Sequence, residues 1–143
     1  MKTRGFIIIV FALALTLPAQ FVNSSEAAPV YSAKLISPTA GQVLHPGQIF
    51  RVQWRSVFPA VNLESCEAEV WMSLDGGITY PVLVTWSMDP KAQYLYWTVP
   101  NLPTNEAVMD IRFGCEYPDF YPETLSPQKQ STFVIAASPP SDN

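Results

Sequence analysis

The chain has 143 residues, with eight basic and twelve acidic side chains, a formal charge of −4 and an apolar share of 48%. A charge of that sign leaves no basic stripe for phosphate recognition, so neither nucleic acid nor an anionic membrane surface is an expected partner. Fourteen prolines are scattered along the chain, and no long segment keeps the apolar period of an amphipathic helix, which excludes a helical bundle.

At the N-terminus, Lys2 and Arg4 precede an apolar or near-apolar run from Phe6 to Leu17. That run is shorter than the roughly 20 residues a bilayer-spanning helix needs. A basic start followed by a short apolar stretch is the pattern of an export signal, removed in the mature protein. Ser25-Glu26-Ala27 supplies a small-x-small cleavage pattern. Cleavage is expected after Ala27, with Ala19 as second choice and an uncleaved anchor as the alternative. No cysteine follows the apolar run, so a lipoprotein anchor is not expected. A signal over 1–27 leaves 116 residues with six basic and eleven acidic side chains, a formal charge of −5. That length suits one domain, over 28–137. The Pro/Ser/Asp-rich stretch 138–143 is expected to be a frayed tail.

Between those ends, short runs of alternating apolar and polar residues are bounded by Pro, Gly, Asn and Asp, the pattern of an all-β antiparallel sandwich. Seven strands are expected. The first covers Ser32–Ser37. The second, Gln48–Arg55, turns Phe50, Val52 and Trp54 one way and Arg51, Gln53 and Arg55 the other. In the third, Cys66–Leu74, Ala68, Val70, Met72 and Leu74 face inward while Glu67, Glu69, Trp71 and Ser73 face outward. Asp75-Gly76-Gly77 then makes the tightest turn of the chain, because glycine tolerates the positive φ of a hairpin. The fourth strand covers Thr79–Trp86. The fifth, Gln93–Val99, points Leu95, Trp97 and Val99 inward, and the sixth, Ala107–Cys115, does so with Met109, Ile111 and Phe113. Ser131–Ala137 is the seventh.

The two cysteines constrain this arrangement. If the third and sixth strands are antiparallel neighbours, Cys66 at the start of one lies opposite Cys115 at the end of the other. Opposed residue numbers then sum to 181, so Ala68 meets Phe113, Val70 meets Ile111 and Met72 meets Met109. On the outer face the same register sets Glu69 against Arg112, an opposite-charge pair that sheets favour by about 0.2–1 kcal/mol. Two cysteines in an exported protein favour a disulfide. Closing a loop of about 50 residues would stabilise the fold by about 4 kcal/mol.

Two segments carry family resemblances. Residues 36–54, from Ile36-Ser37-Pro38 through Gly41 and Gly47 to Trp54, resemble the opening of a group of immunoglobulin-like extracellular domains. Tyr96-Trp97-Thr98-Val99-Pro100 is similar to a later strand of the same domains. The group includes bacterial secreted β-sandwich modules and the N-terminal domain of fungal Ser/Thr-rich GPI-anchored cell-wall proteins. The resemblance implies a seven-stranded immunoglobulin-like or fibronectin type III-like sandwich that serves as a wall- or surface-associated accessory module. The second segment, Ser73-Leu74-Asp75-Gly76-Gly77-Ile78-Thr79-Tyr80, resembles the Asp-box hairpin of sialidases and other propellers. There the aspartate ties down the turn, which implies a structural role for Ser73, Asp75, Gly76, Gly77 and Thr79. One copy is too few for a propeller.

Catalysis would need a convergent set of titratable groups. The single histidine, His45, sits in a Pro/Gly turn, and no serine has the context of a nucleophile. Glu67 and Glu69, two apart on the outer side of a strand, read as solvated surface charges. No enzyme activity, cofactor or metal is expected. A calcium site from Glu116, Asp119 and Glu123 lacks a recognised ligand spacing.

The candidate binding surfaces are two. The loop from Glu116 to Gln130 carries Tyr117, Phe120 and Tyr121, and Tyr-rich loops gain contact area at low entropic cost. Its alternative role is to fold Phe120 or Tyr121 back as a cap on the core. Trp54 and Trp97 have core parity, whereas Trp71 points outward beside Glu67 and Glu69, as a stacking platform for sugar or protein. Trp86 shares the parity of Tyr80, Val82 and Val84, at a strand end of ambiguous orientation. The expected protein is thus a secreted (extracellular or periplasmic), non-catalytic, monomeric module that binds a protein or a cell-surface polysaccharide. A carbohydrate-binding module using exposed aromatics, and an enzyme inhibitor or accessory subunit using residues 116–130, are the alternatives.

Overall fold

The structure, a computed structural model, describes residues 30–116, 120–124 and 130–138. The expected export signal, 1–27, and residues 139–143 of the expected tail lie outside these. Ser138, placed in that tail by the sequence, donates its hydroxyl to Asn101 Oδ1 at 3.1 Å.

The fold is all-β. In chain order the strands are β1 (Ser32–Ser37), β2 (Val43–Leu44), β3 (Ile49–Val57), β4 (Cys66–Ser73), β5 (Val82–Met88), β6 (Tyr94–Thr98), β7 (Thr104–Cys115), β8 (Tyr121–Thr124) and β9 (Phe133–Ile135). Among the described residues nine strands are therefore present, where the alternation predicted seven. The two extra ones, β2 and β8, are two and four residues long, too short to show a period in the sequence. Each exists because a neighbour supplies its partner: β2 runs parallel to β9, and β8 antiparallel to β7. Among the described residues the one helical element is the 3-10 turn Leu63–Ser65, whose cap Asn62 accepts the Glu64 N–H through its side chain.

The strands make two sheets. One has the order β1-β3-β6; the other has β2-β9-β7-β4-β5, with β8 beside β7. Both contribute their inward side chains to one core cluster, in which Tyr31, Val52 and Trp54 from the first meet Val70, Met72, Ile111, Phe113 and Phe133 from the second. Trp54 is wholly buried, and its indole N–H finds no acceptor among the described residues. Burial of the large ring area outweighs a lost hydrogen bond of about 1–3 kcal/mol.

The β4–β7 pairing runs without interruption from Cys66↔Cys115 to Ser73↔Val108, the register in which residue numbers sum to 181. The disulfide Cys66–Cys115 is formed. The β4–β5 pairing is less regular. Met72 meets Val82 and Trp71 meets Leu83, but Val70 meets Thr85 and Ala68 meets Met88, so β5 carries two extra residues. Each bulge reverses the in/out alternation. Trp86 therefore turns outward although Val82, Val84 and Met88, of the same parity, all pack on the core.

Candidate binding surface

The outward-facing side of β4 and β7 holds the residues expected to form a platform, and they are otherwise engaged. Trp71 is half-buried. Its Nε1–H donates to Glu69 Oε2 at 2.7 Å, and the Arg112 guanidinium lies 4.7 Å from its ring centroid. Arg112 is fixed in turn by Asp110 at 3.4 Å and Glu123 at 3.1 Å. The ring face that would stack on a ligand is taken by a cation, so Trp71 closes the sheet surface and does not present itself as an open platform. Glu69 and Arg112 do sit opposite each other, yet the expected pair between them is replaced. Arg112 turns to the buried Asp110 and to β8, leaving Glu69 to the indole. Tyr80, 5.8 Å from the same guanidinium, has its phenol pushed up by burial and by the charge of Asp110.

The stretch 116–130 is not one open loop. Tyr121–Thr124 pairs with the end of β7, with Tyr121 opposite Cys115. Gly114 permits this approach: a Cβ there would meet Glu123 Cα at 3.2 Å. Tyr121 packs its ring on Phe113 at 5.5 Å and accepts the Tyr31 N–H at 3.4 Å, so it belongs to the core margin. Phe120 is 77% exposed, and Tyr117 lies outside the described residues. Glu64, Glu67 and Glu116 line a shallow depression with Ser65 and Ser87. Glu67 and Glu116 also line a second depression beside Phe120 and Glu123. Of the suggested calcium ligands, Asp119 is outside the described residues and Glu123 is held by Arg112. Among the described residues no group of three His, Cys, Asp or Glu is placed to hold a metal. Four glutamates, Glu64, Glu67, Glu116 and Glu123, thus line the two depressions.

The turn after β4 is tied by its own side chains. Asp75 Oδ1 accepts the Ser73 hydroxyl at 2.6 Å and the N–H groups of Ile78 and Thr79 at 3.1 and 2.9 Å, while Oδ2 accepts the Thr79 hydroxyl at 2.6 Å. Ser73 Oγ accepts the Gly77 N–H at 2.8 Å, which buries Ser73 although its strand parity points outward. Gly76 and Gly77 have φ of 73° and 91°, values open to glycine at little cost. The Ser73 hydroxyl first, then the Thr79 hydroxyl and N–H, hold the Asp75 carboxyl down at about 2 from its ordinary 3.8. The native state thus favours the charged form, and its contribution to stability is complete above pH 3.8 and lost as pH falls through about 2. Thermal melts of Asp75→Ala should lie below those of the unsubstituted chain by a constant gap from neutral pH to about 4, closing between about 4 and 2. A gap unchanged at pH 2 would show that the carboxylate is not what ties the turn.

An exposed pair of tyrosines lies on the other sheet. On the outer side of β1-β3-β6, Arg51 pairs with Tyr96 and Gln53 with Tyr94. The Arg51 guanidinium sits 4.4 Å from the Tyr94 ring centroid, and the two tyrosines meet edge-on at 6.0 Å. Tyr96 and Ile49 are 69% and 72% exposed, and Tyr94 is exposed beside them. Lys34 stands directly opposite Arg55, a like-charge pair that costs stability. None of these three strands carries an Asp or Glu. The sequence assigned Arg51, Gln53 and Arg55 outward, and Tyr94 and Tyr96 alternate with inward Leu95 and Trp97. What it did not show is that β3 and β6 are neighbours, which joins these residues into one face. Trp86, 76% exposed, stands apart on β5.

No family model, no curated protein and no solved structure matches the chain.

Proposed function

We propose that the chain is an exported, non-catalytic binding module of immunoglobulin or fibronectin type III character, which engages a protein partner through the outer face of β1-β3-β6. The orders β1-β3-β6 and β5-β4-β7-β9 support the architectural reading, with β2 and β8 as short additions. The disulfide is compatible with an oxidising compartment, and among the described residues no helix is long and apolar enough to cross a membrane.

The observation that carries the binding reading is the composition of that one face. Exposed Tyr94, Tyr96, Arg51 and Ile49 lie together without an acidic residue. Protein interfaces are enriched in Tyr and Arg and depleted of Asp and Glu, and Tyr and Arg dominate their energetics. Labelled protein bound to the surface of the cells that export it provides the test. Tyr94→Ala with Tyr96→Ala is expected to weaken binding by about 30-fold, a hot-spot loss of about 2 kcal/mol, with the melting temperature unchanged. Equal binding by the double variant would remove the face from consideration. Loss at Trp86→Ala instead would move the site to β5 and favour the carbohydrate-binding alternative, which the exposure of that ring supports.

A further inference from the structure

Every sheet edge exposes a row of main-chain donors and acceptors, and natural β proteins protect such rows with short strands, bulges, charges, prolines or covering groups. Among the described residues four edges are protected, β8 by its four-residue length, Pro122 and Glu123. On β1, the Gln130 side chain accepts the Leu35 N–H at 2.7 Å and donates to the Ala33 carbonyl at 2.7 Å, while Tyr121 receives the Tyr31 N–H. β5 is broken by two bulges, and β2 is two residues long.

The fifth edge is different. β6 reads Tyr94-Leu95-Tyr96-Trp97-Thr98, with no charge, proline or glycine, and it pairs with β3 in unbroken register. Its sequence has the high β propensity of strands that recruit other strands. The bonds from Val99 N–H to Gln48 O and from Trp54 N–H to Gln93 O fix the alternation. Odd-numbered residues direct their main chain at β3. The N–H and C=O groups of Tyr94, Tyr96 and Thr98 therefore point away from the sheet. Among the described residues nothing pairs with them, since β6 ends its sheet. All three residues are exposed.

We propose that β6 is an acceptor strand for an extended acidic segment of a partner protein, which adds to its free edge as the fourth strand of this sheet. The inference rests on the binding reading above and names the partner's chemistry. Main-chain bonds to Tyr94, Tyr96 and Thr98 supply the attachment, and alternate side chains of the incoming strand fall on the outer face beside the two tyrosines. Arg51 sits over the Tyr94 ring, one strand nearer the edge than its own backbone. An Asp or Glu at alternate positions of the segment meets that guanidinium. Arg51, Arg55 and Lys34 take part in none of the ion pairs of the described residues, all of which fall on Arg112. An acidic strand supplies the charge that this face lacks. A second copy of β6 would bring tyrosine against tyrosine and more positive charge to the same face, so it fits less well.

Selection of a random twelve-residue displayed peptide library on the purified chain tests the proposal. Enriched peptides are expected to carry acidic residues at alternate positions and to bind at least ten-fold more weakly to Thr98→Pro and to Arg51→Glu. Proline at position 98 removes one outward N–H while leaving both tyrosines and the β3 ladder in place. Amide exchange at Tyr94, Tyr96 and Thr98 should slow at least ten-fold when a selected peptide is bound. That measurement on the unsubstituted chain decides the matter if Thr98→Pro does not fold. Peptides without alternating acids, or no enrichment at all, would overturn the proposal. So would binding that leaves the β6 amides unprotected, an outcome that spares the Tyr94/Tyr96 face. A dimer in sedimentation that Thr98→Pro abolishes would identify a second copy as the occupant and also overturn it. Failure of the broader binding reading is read separately, as unchanged cell-surface binding by the tyrosine double variant.

Discussion

Replacing Cys66 and Cys115 together by alanine is expected to lower the stability of the domain by about 4 kcal/mol and its melting temperature by about 15–25 °C. The bridge spans 49 positions and encloses β4, β5, β6 and β7. Its removal restores freedom to that whole segment in the unfolded chain. Domains of this size have total stabilities of about 5–15 kcal/mol, so the loss is a large share of the whole. Denaturant titration of the double variant should show a lower midpoint and a steeper slope, because the unbridged unfolded chain exposes more surface. A loss below about 1 kcal/mol would mean that β4 and β7 stay paired in the denatured ensemble and that the bridge constrains little.

Phe113→Ala is the second large effect, at about 3–5 kcal/mol. Phe113 is fully buried at the centre of four rings. It stacks on Tyr31 at 4.8 Å and meets Phe58 at 5.1 Å and Tyr121 at 5.5 Å. These rings come from the start of β1, the segment after β3, β7 and β8, so one deletion opens a cavity where both sheets and the short β8 meet. Tyr31 cannot easily move to fill it, because its hydroxyl donates to the Ile111 carbonyl at 2.8 Å. Phe113→Leu keeps most of the volume and should cost less than about half as much in the same denaturant titration. Equal costs for the two substitutions would show that ring contacts, and not volume, govern the site.

Legibility followed the range of the interactions involved. Inward positions of β3, β4, β6 and β7 were readable because a strand half-buried against one core writes its face into every second residue. The β4–β7 register was readable because two cysteines, three apolar pairs and one charge pair had to agree on a single offset. Where a local irregularity intervenes, parity fails: two extra residues in β5 carry Trp86 to solvent, and the tied turn buries the outward-facing Ser73. β8 was missed because four residues have no period, and its partner lies in another part of the chain.

The candidate surface separates along the same line. From sequence alone came an acidic all-β chain with a leader-like N-terminus, its alternating strands, its cysteine pairing and an Asp75 turn built from side chains within six residues. These are local or are constrained by few pairs. Only the tertiary structure decided which outward residues become neighbours. It laid Arg112 over Trp71, and it set Arg51 beside Tyr94 and Tyr96 across a strand boundary of more than forty residues. It also left β6 with an open edge while Gln130 closed that of β1. Exposure and adjacency depend on strands far apart in the chain, and alternation within one strand carries no record of its partner.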